Sequence, residues 1–217
     1  MRVIVAVVVG VLTCPLARAD ETPSEVKFAK ADVGKVPAGW AVAKTGTGDG
    51  SLWKIVADDT TPSGSGFALA QTADGPTQMF NLCVLTDSAF KDGEVSTAVR
   101  ALAGKVDQGG GLVWRYQDAN NYYVCRYNPL EENLRVYYVK GGKRTQLATK
   151  ENVELPAGKW FTVSVKHAGD RVECSLNGTK YLEVTDKTFA EAGKVGVWSK
   201  ADAQSHFDRV RFTPFQK

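Results

Sequence analysis

Three arginines, Arg115, Arg126 and Arg135, recur through one tyrosine-rich stretch, with Tyr122 among them. Guanidinium groups donate to hydroxyl oxygens, and phenol rings can cover the apolar face of a pyranose. These four residues form the candidate ligand-binding set. The same arginines could instead pair across strands with Asp118, Glu131 or Glu132, and both readings stay open at this level. Catalytic groups are harder to assign. His206 lies close in sequence to Asp202 and Asp208, which offers a thin case for an acid/base pair or a metal, but a solvated loop histidine is the plainer reading; His167 has no ligand-spaced neighbours. The chain has no GxSxG, Walker or HExxH motif, and no Cys/His spacing that would hold zinc. Asp107, Asp118 and Asp170 fall in predicted loops where calcium could be held by carboxylates and carbonyls, although nothing resembles an EF-hand loop. The catalytic residues and any cofactor therefore stay unassigned.

The arginines sit in the stretch at 109–140, GGGLVWRYQDANNYYVCRYNPLEENLRVYYVK, which holds three apolar and aromatic runs separated by Asn- and Asp-bearing turns. Three adjacent strands follow, with Val, Tyr and Trp suited to a pleated, half-buried surface. Alternation gives Trp114 and Tyr116 a face in common with Leu112, with Trp114 expected in the core, and sets Arg115 with Val113 on the other face. On the next strand Tyr122, Val124 and Arg126 oppose Tyr123, Cys125 and Tyr127. Arg115, Arg126, Tyr122 and Arg135 are thus expected on an exposed sheet face, although a register slip of one residue would invert the assignment.

The rest of the chain keeps the same rhythm. At 94–102 Val95, Thr97 and Val99 alternate with Glu94, Ser96, Ala98 and Arg100, a period of two that marks a sheet with one face covered. Gly141-Gly142 and Asn177-Gly178 predict tight hairpins. A helical turn is expected only at 188–192. About 13 to 15 short strands at regular spacing with almost no helix define an all-β antiparallel sandwich, most simply a two-sheet jelly roll.

Residues 1–19 read as an export signal: Arg2, an apolar segment at 3–12, and Ala17-Arg18-Ala19 before the cut. The product would be a single domain at 20–217, periplasmic or extracellular. Removing Arg2 and Arg18 leaves 25 Lys and Arg against 24 Asp and Glu, a balance that gives no warrant for nucleic acid as a partner or for membrane insertion. Cys83, Cys125 and Cys174 lie in strand-like runs; three thiols allow at most one disulfide, and burial as small apolar residues is the simpler expectation.

The 109–140 stretch, followed by LPAGKWFTVSVKHAGDRVECSLNGTKYLEVTD and AGKVGVWSKADAQSHFDRVRF, resembles the concanavalin A-like jelly roll of bacterial 3-keto-disaccharide hydrolase domains and of laminin G-like modules. The resemblance is strongest over 90–213. It implies a curved sandwich whose concave face meets carbohydrate, acting on sugars oxidised at position 3 in the first group, or serving as a glycan- or protein-binding module, commonly with calcium, in the second. The paired glutamates of the glucanase branch, in an ExDxxE pattern, are missing, so retaining glycoside hydrolysis lacks its carboxyl pair. Two functions remain: a secreted domain acting on a glycoside, and a non-catalytic binding module. Oligomeric state is not legible.

Overall fold

A computed structural model describes residues 24–156 and 158–215, and the predicted export signal lies outside these. Fifteen strands and one short 3-10 turn make two antiparallel sheets. In chain order the strands are β1 (Ser24–Val26), β2 (Trp40–Thr45), β3 (Trp53–Ala57), β4 (Phe67–Gln71), β5 (Phe80–Leu85), β6 (Gly93–Ala103), β7 (Gly110–Asp118) and β8 (Asn121–Asn128). Then follow β9 (Asn133–Lys140), β10 (Lys143–Lys150), β11 (Trp160–Ala168), β12 (Arg171–Leu176), β13 (Thr179–Thr185), β14 (Lys194–Lys200) and β15 (Gln204–Pro214). The first sheet runs β13-β12-β11-β6-β15-β4-β3, with β1 added beside β15; the second runs β10-β9-β8-β7-β14-β5-β2. This is the two-layer jelly roll that the alternating pattern predicts.

The shared core lies between the sheets. Val95 and Val99 of β6, Val163 and Val165 of β11, and Phe207 of β15 face Leu112, Trp114, Tyr123, Cys125 and Val197 of the second sheet. Trp114 stacks on Tyr123, and its Nε1 donates to His167 Nδ1 at 2.9 Å. His167 is fully buried, and burial, reinforced by the Arg115 charge, holds it at about 4, so the imidazole is neutral. Cys83, Cys125 and Cys174 are free thiols buried completely. Both predicted hairpins form with positive φ at each turn residue: 56° and 78° at Gly141 and Gly142, 50° and 81° at Asn177 and Gly178.

Two local expectations differ from the structure. Residues 188–192 form no helical turn; the single helical turn among the described residues is at Lys30–Asp32. The last strand begins at Gln204, so His206 lies in a strand and not in a loop.

Candidate functional site

The second sheet is deeply curled. Edge strand β2 and β8 are separated by β5, β14 and β7, so in a flat sheet they would stand about 19 Å apart. Yet the hydroxyls of Thr45 on β2 and Tyr122 on β8 meet at 2.7 Å. Arg144 on the opposite edge strand, β10, likewise brings its guanidinium carbon to 5.0 Å from the centroid of Phe80 on β5. Thr45 pairs in register with Phe80, and Phe80, Tyr122 and Trp198 belong to a second apolar cluster on the face turned away from the shared core. The curl therefore closes around this outer face and makes it the concave one.

Part of the hollow is packed. Leu82, Val113, Val124 and Tyr122 fill it, each 0 % exposed. Arg144 lies across the aromatic rings beside them, 4.4 Å from the Tyr137 centroid, 5.0 Å from Phe80 and 6.0 Å from Trp198. A cation over a ring face is electrostatically favoured. It also covers the rings, which keep no more than 6 % of their surface. Sugar stacking on these aromatics, part of the expectation for this face, has no exposed ring to use.

The polar part of the hollow is built along one row of the sheet. In register, Trp198 pairs with Gly111, Gly111 with Arg126, and Arg126 with Arg135. Gly111 lets the backbones come close, since a Cβ there would lie 1.9 Å from the Cys125 carbonyl oxygen. Arg126 donates from Nη1 to the Asn133 side chain and from Nη2 to Glu131 Oε2 at 2.9 Å and the Tyr137 hydroxyl at 3.3 Å. Arg135 reaches Glu131 Oε2 at 3.0 Å and Glu151 Oε1 at 3.2 Å. From the loop before β7, Asp107 accepts from Lys200 Nζ at 3.0 Å and Asn128 Nδ2 at 3.1 Å. That loop is pinned by Asp202, whose carboxylate accepts from the backbone N–H groups of Lys105, Val106 and Asp107.

The electrostatics of the row are uneven. Burial lifts the Asp107 carboxyl above its ordinary range, although Lys200 and Arg126 pull against it. Burial acts the same way on Glu131, but Arg126 and the Asn133 side chain outweigh it, and the carboxyl sits below its usual range. Glu131, Glu151 and Asp107 are each held by a cation. The donors are not all satisfied: Arg126 Nε and Trp198 Nε1 are buried without an acceptor at hydrogen-bond geometry among the described residues, although the Tyr122 hydroxyl stands near the Trp198 nitrogen. Unmatched buried donors are costly, and such groups mark where a ligand or ordered water completes the network.

The four sequence-predicted ligand residues separate. Arg126 and Arg135 do lie on the concave face, Arg126 2 % exposed and Arg135 with a quarter of its side chain open. Their pairing with Glu131 is the cross-strand alternative foreseen from sequence. Tyr122 is on the same face but wholly buried, its hydroxyl spent on Thr45. Arg115 is not on the exposed face at all. It takes φ 45° in a bulge that shifts the pairing of β7 with β8 and with β14, and Gly193 makes room for it, since a Cβ there would lie 2.4 Å from the Arg115 carbonyl carbon. Its guanidinium, 1 % exposed on its side chain, donates to the carbonyls of Lys91, Phe189 and Gly169 and to Asp92. The bulge also moves Tyr116 off the Trp114 face and onto Tyr122. An alternation of period two cannot foresee an inserted residue.

Sequence reasoning missed Arg144, Lys200 and Trp198, and took Asp107 only as a calcium candidate. The signal for Arg144 was present: it stands two residues past the Gly141-Gly142 hairpin and so pairs with Val139, on the face of Tyr137. His206 faces away from the hollow. Its Nδ1 lies 2.7 Å from Asp58 Oδ2, a partner 148 positions away in sequence. The residues do not fit a calcium site of the laminin kind. Asp118 caps its own turn through the Asn120 N–H and the Asn121 amide, Asp170 pairs with Lys187, and Asp107 is held by Lys200. Among the described residues no three His, Cys, Asp or Glu side chains gather as a metal centre.

A two-layer β shell with a curled sheet and a donor-lined hollow defines the concanavalin A-like class of jelly rolls. Residues 31–213 match the 3-keto-disaccharide hydrolase domain, described as 3-keto-alpha-glucoside-1,2-lyase-like, and the chain belongs to that family. Membership gives it a carbohydrate-related function. No curated protein matches the sequence significantly. Among solved structures, the carbohydrate binding module CBM66 from Bacillus subtilis is similar with TM-score 0.64 and 19 % identity, over 81 % of this chain and 96 % of that one. Domain 4 of a GH43 extracellular arabinanase from Geobacillus stearothermophilus, in complex with arabinotriose, gives TM-score 0.51 and 14 % identity over 80 % and 81 % of the chains. A Bacillus licheniformis beta-glucanase gives TM-score 0.51 and 11 % identity over 81 % and 98 %. At these identities the likeness is one of fold. Among the described residues no helix is long and apolar enough to cross a membrane.

Proposed function

We propose that this is an exported carbohydrate-binding domain that holds a saccharide in the concave hollow of its second sheet, through donors rather than through ring stacking. One observation carries the proposal. Glu131, Glu151 and Asp107 are each paired with a cation, whereas the buried Arg126 Nε has no acceptor among the described residues and points to an oxygen-rich ligand. Family membership and the fold shared with a carbohydrate binding module support the same choice. Arg135, with part of its side chain open, would meet the ligand at the rim.

A second function is favoured by Asp107. In elimination across C1 and C2 of a 3-keto glycoside, removal of the C2 proton, acidified by the neighbouring carbonyl, gives an enolate with negative charge on the C3 oxygen. Its collapse re-forms the carbonyl, makes the C1–C2 double bond and breaks the bond from C1 to the leaving oxygen, which takes a proton from water. Burial lifts the Asp107 carboxyl, which suits a general base, and Arg126 lies close enough to stabilise the enolate oxygen. Asp107 would first have to release Lys200.

Incubating the mature protein with glycosides and their 3-keto derivatives separates these functions. Calorimetric binding without new ultraviolet absorbance supports the binding domain; appearance of the conjugated enone product supports the lyase. Silence in both channels across the panel would overturn both.

A further inference from the structure

The hollow opens at one rim into a groove of about 680 Å³ lined by Gly46, Gln78, Phe80, Asn120, the Gly141-Gly142 turn, Lys143 and Arg144. Its charges are of one sign. Lys143 and Arg144 are both cationic, and no carboxylate lines the groove. Every other arginine on the concave face is tied down: Arg126 to Glu131, and Arg135 to Glu131 and Glu151. Among the described residues Arg144 has no carboxylate within ion-pair distance and no hydrogen-bond acceptor; the three aromatic rings lie beneath it, and Asp107, the nearest carboxylate to act on its charge, is already held by Lys200.

Holding a guanidinium there is unfavourable without an anion. Burial, with the nearby Arg126 charge, disfavours the cation and outweighs the opposing pull of Tyr137, Asp107 and Tyr122, so Arg144 sits below its ordinary range. The rings hold its plane by cation–π contact, but they satisfy none of its N–H donors. Those donors form a fork that matches a carboxylate or an ester of sulfate or phosphate bidentately. Asn120 and Gln78 add neutral amide groups to the same groove, suited to sugar hydroxyls.

We infer that the groove binds the anionic substituent of an acidic saccharide, with Arg144 as the fork and Lys143 as the second cation. This rests on the proposal that the concave hollow takes a carbohydrate, and it adds the substrate class: a sugar carrying a carboxylate or an ester anion rather than a neutral glycan. The guanidinium in the groove also explains why the aromatic rings are covered. A binder of neutral pyranoses gains by exposing such rings; this one places a cation over them.

The test uses matched pairs of oligosaccharides on the full mature chain. A uronate oligomer is compared with its fully methyl-esterified form, and a sulfated oligomer with its desulfated form, by calorimetry at low and at physiological salt. The expected result is at least tenfold tighter binding of one acidic member than of its neutral partner, weakened by salt. Arg144→Gln should abolish that preference, Arg144→Lys should keep part of it, and Lys143→Gln, at an exposed turn position, should reduce it severalfold without affecting folding. Whichever pair shows the preference tells a carboxylate from an ester anion. Equal binding of charged and neutral partners, unchanged in Arg144→Gln, would overturn the anion site while leaving the carbohydrate proposal standing. Absence of binding to any member of the panel would overturn both.

Discussion

Acid should destabilise this fold through one histidine well before it reaches the carboxylates. His167 is neutral in the folded state, with Nδ1 accepting from Trp114 and Nε2 buried without an acceptor at hydrogen-bond geometry among the described residues, although the Gly169 backbone stands near it. Its folded value of about 4 lies below the 6.5 of an unperturbed imidazole, so the unfolded chain takes up the proton from near pH 6.5 downward and the folded chain resists until about pH 4. The folded state therefore loses stability as pH falls through this window, and the loss is complete below it. Between pH 7 and pH 4.5 the two values give a difference of about 2 kcal/mol. Urea unfolding at both pH values, for the native chain and for His167→Gln, isolates that contribution, because the other titrating groups are common to both proteins. The native chain should lose about 2 kcal/mol more than the variant over the interval. Equal losses would refute the assignment. So would a titration of the His167 imidazole by NMR with a midpoint near 6, a measurement that does not depend on the variant folding.

Four other outcomes follow from the same contacts. Arg115→Ala should cost about 3–5 kcal/mol in urea unfolding, because it strips four donors from a buried network and leaves Asp92 without its cation, and it should leave the ligand affinity of the folded fraction unaltered. Arg126→Ala should lower stability by about 1–3 kcal/mol as well as affinity, since the side chain is buried rather than exposed as its place in the sequence suggests; affinity unchanged in calorimetry would remove it from the ligand set. Asp202→Asn should weaken saccharide binding severalfold without touching the ligand, by loosening the loop that presents Asp107, and hydrogen exchange should quicken at the Lys105 to Asp107 amides. Asp58, held down to about 2 by its bonds to Thr60 and His206 against the opposing effect of burial, contributes stability that is lost as pH falls from about 4 to 2; Asp58→Asn should flatten that limb of the acid unfolding curve by about 2 kcal/mol.

The fold was open to a sequence-level reading because its signals are local. Val95, Thr97 and Val99 alternate with Glu94, Ser96 and Arg100, and glycine or asparagine stands wherever a two-residue turn needs positive φ. The hollow was less legible. Its curvature brings Thr45 to Tyr122 and Arg144 to Phe80 across three and four intervening strands, and strand periodicity carries no record of how far a sheet rolls. Arg115 shows a different obstacle. Relative to β14, β7 carries one extra residue between Val113 and Tyr116, which reverses the face of Tyr116, and an arginine spaced for solvent became a buried clamp within the bulge. Arg126 and Arg135 were placed on the correct face because no bulge intervenes between their strands, whose pairing runs unbroken from Tyr122 to Asn128.

The rim of the hollow is sewn together before any ligand arrives. Thr45 Oγ1 donates to the Ala119 carbonyl, the Gly142 N–H to the Asn120 carbonyl at 3.0 Å, and the Gly141 N–H to the Asn121 side chain at 3.1 Å, so one edge strand and two hairpins form a fixed collar. For the saccharide binding proposed above, a hollow braced in this way has little freedom left to surrender on association. Its selectivity must then come from shape and charge already in place, and a poorly matched guest is turned away rather than accommodated.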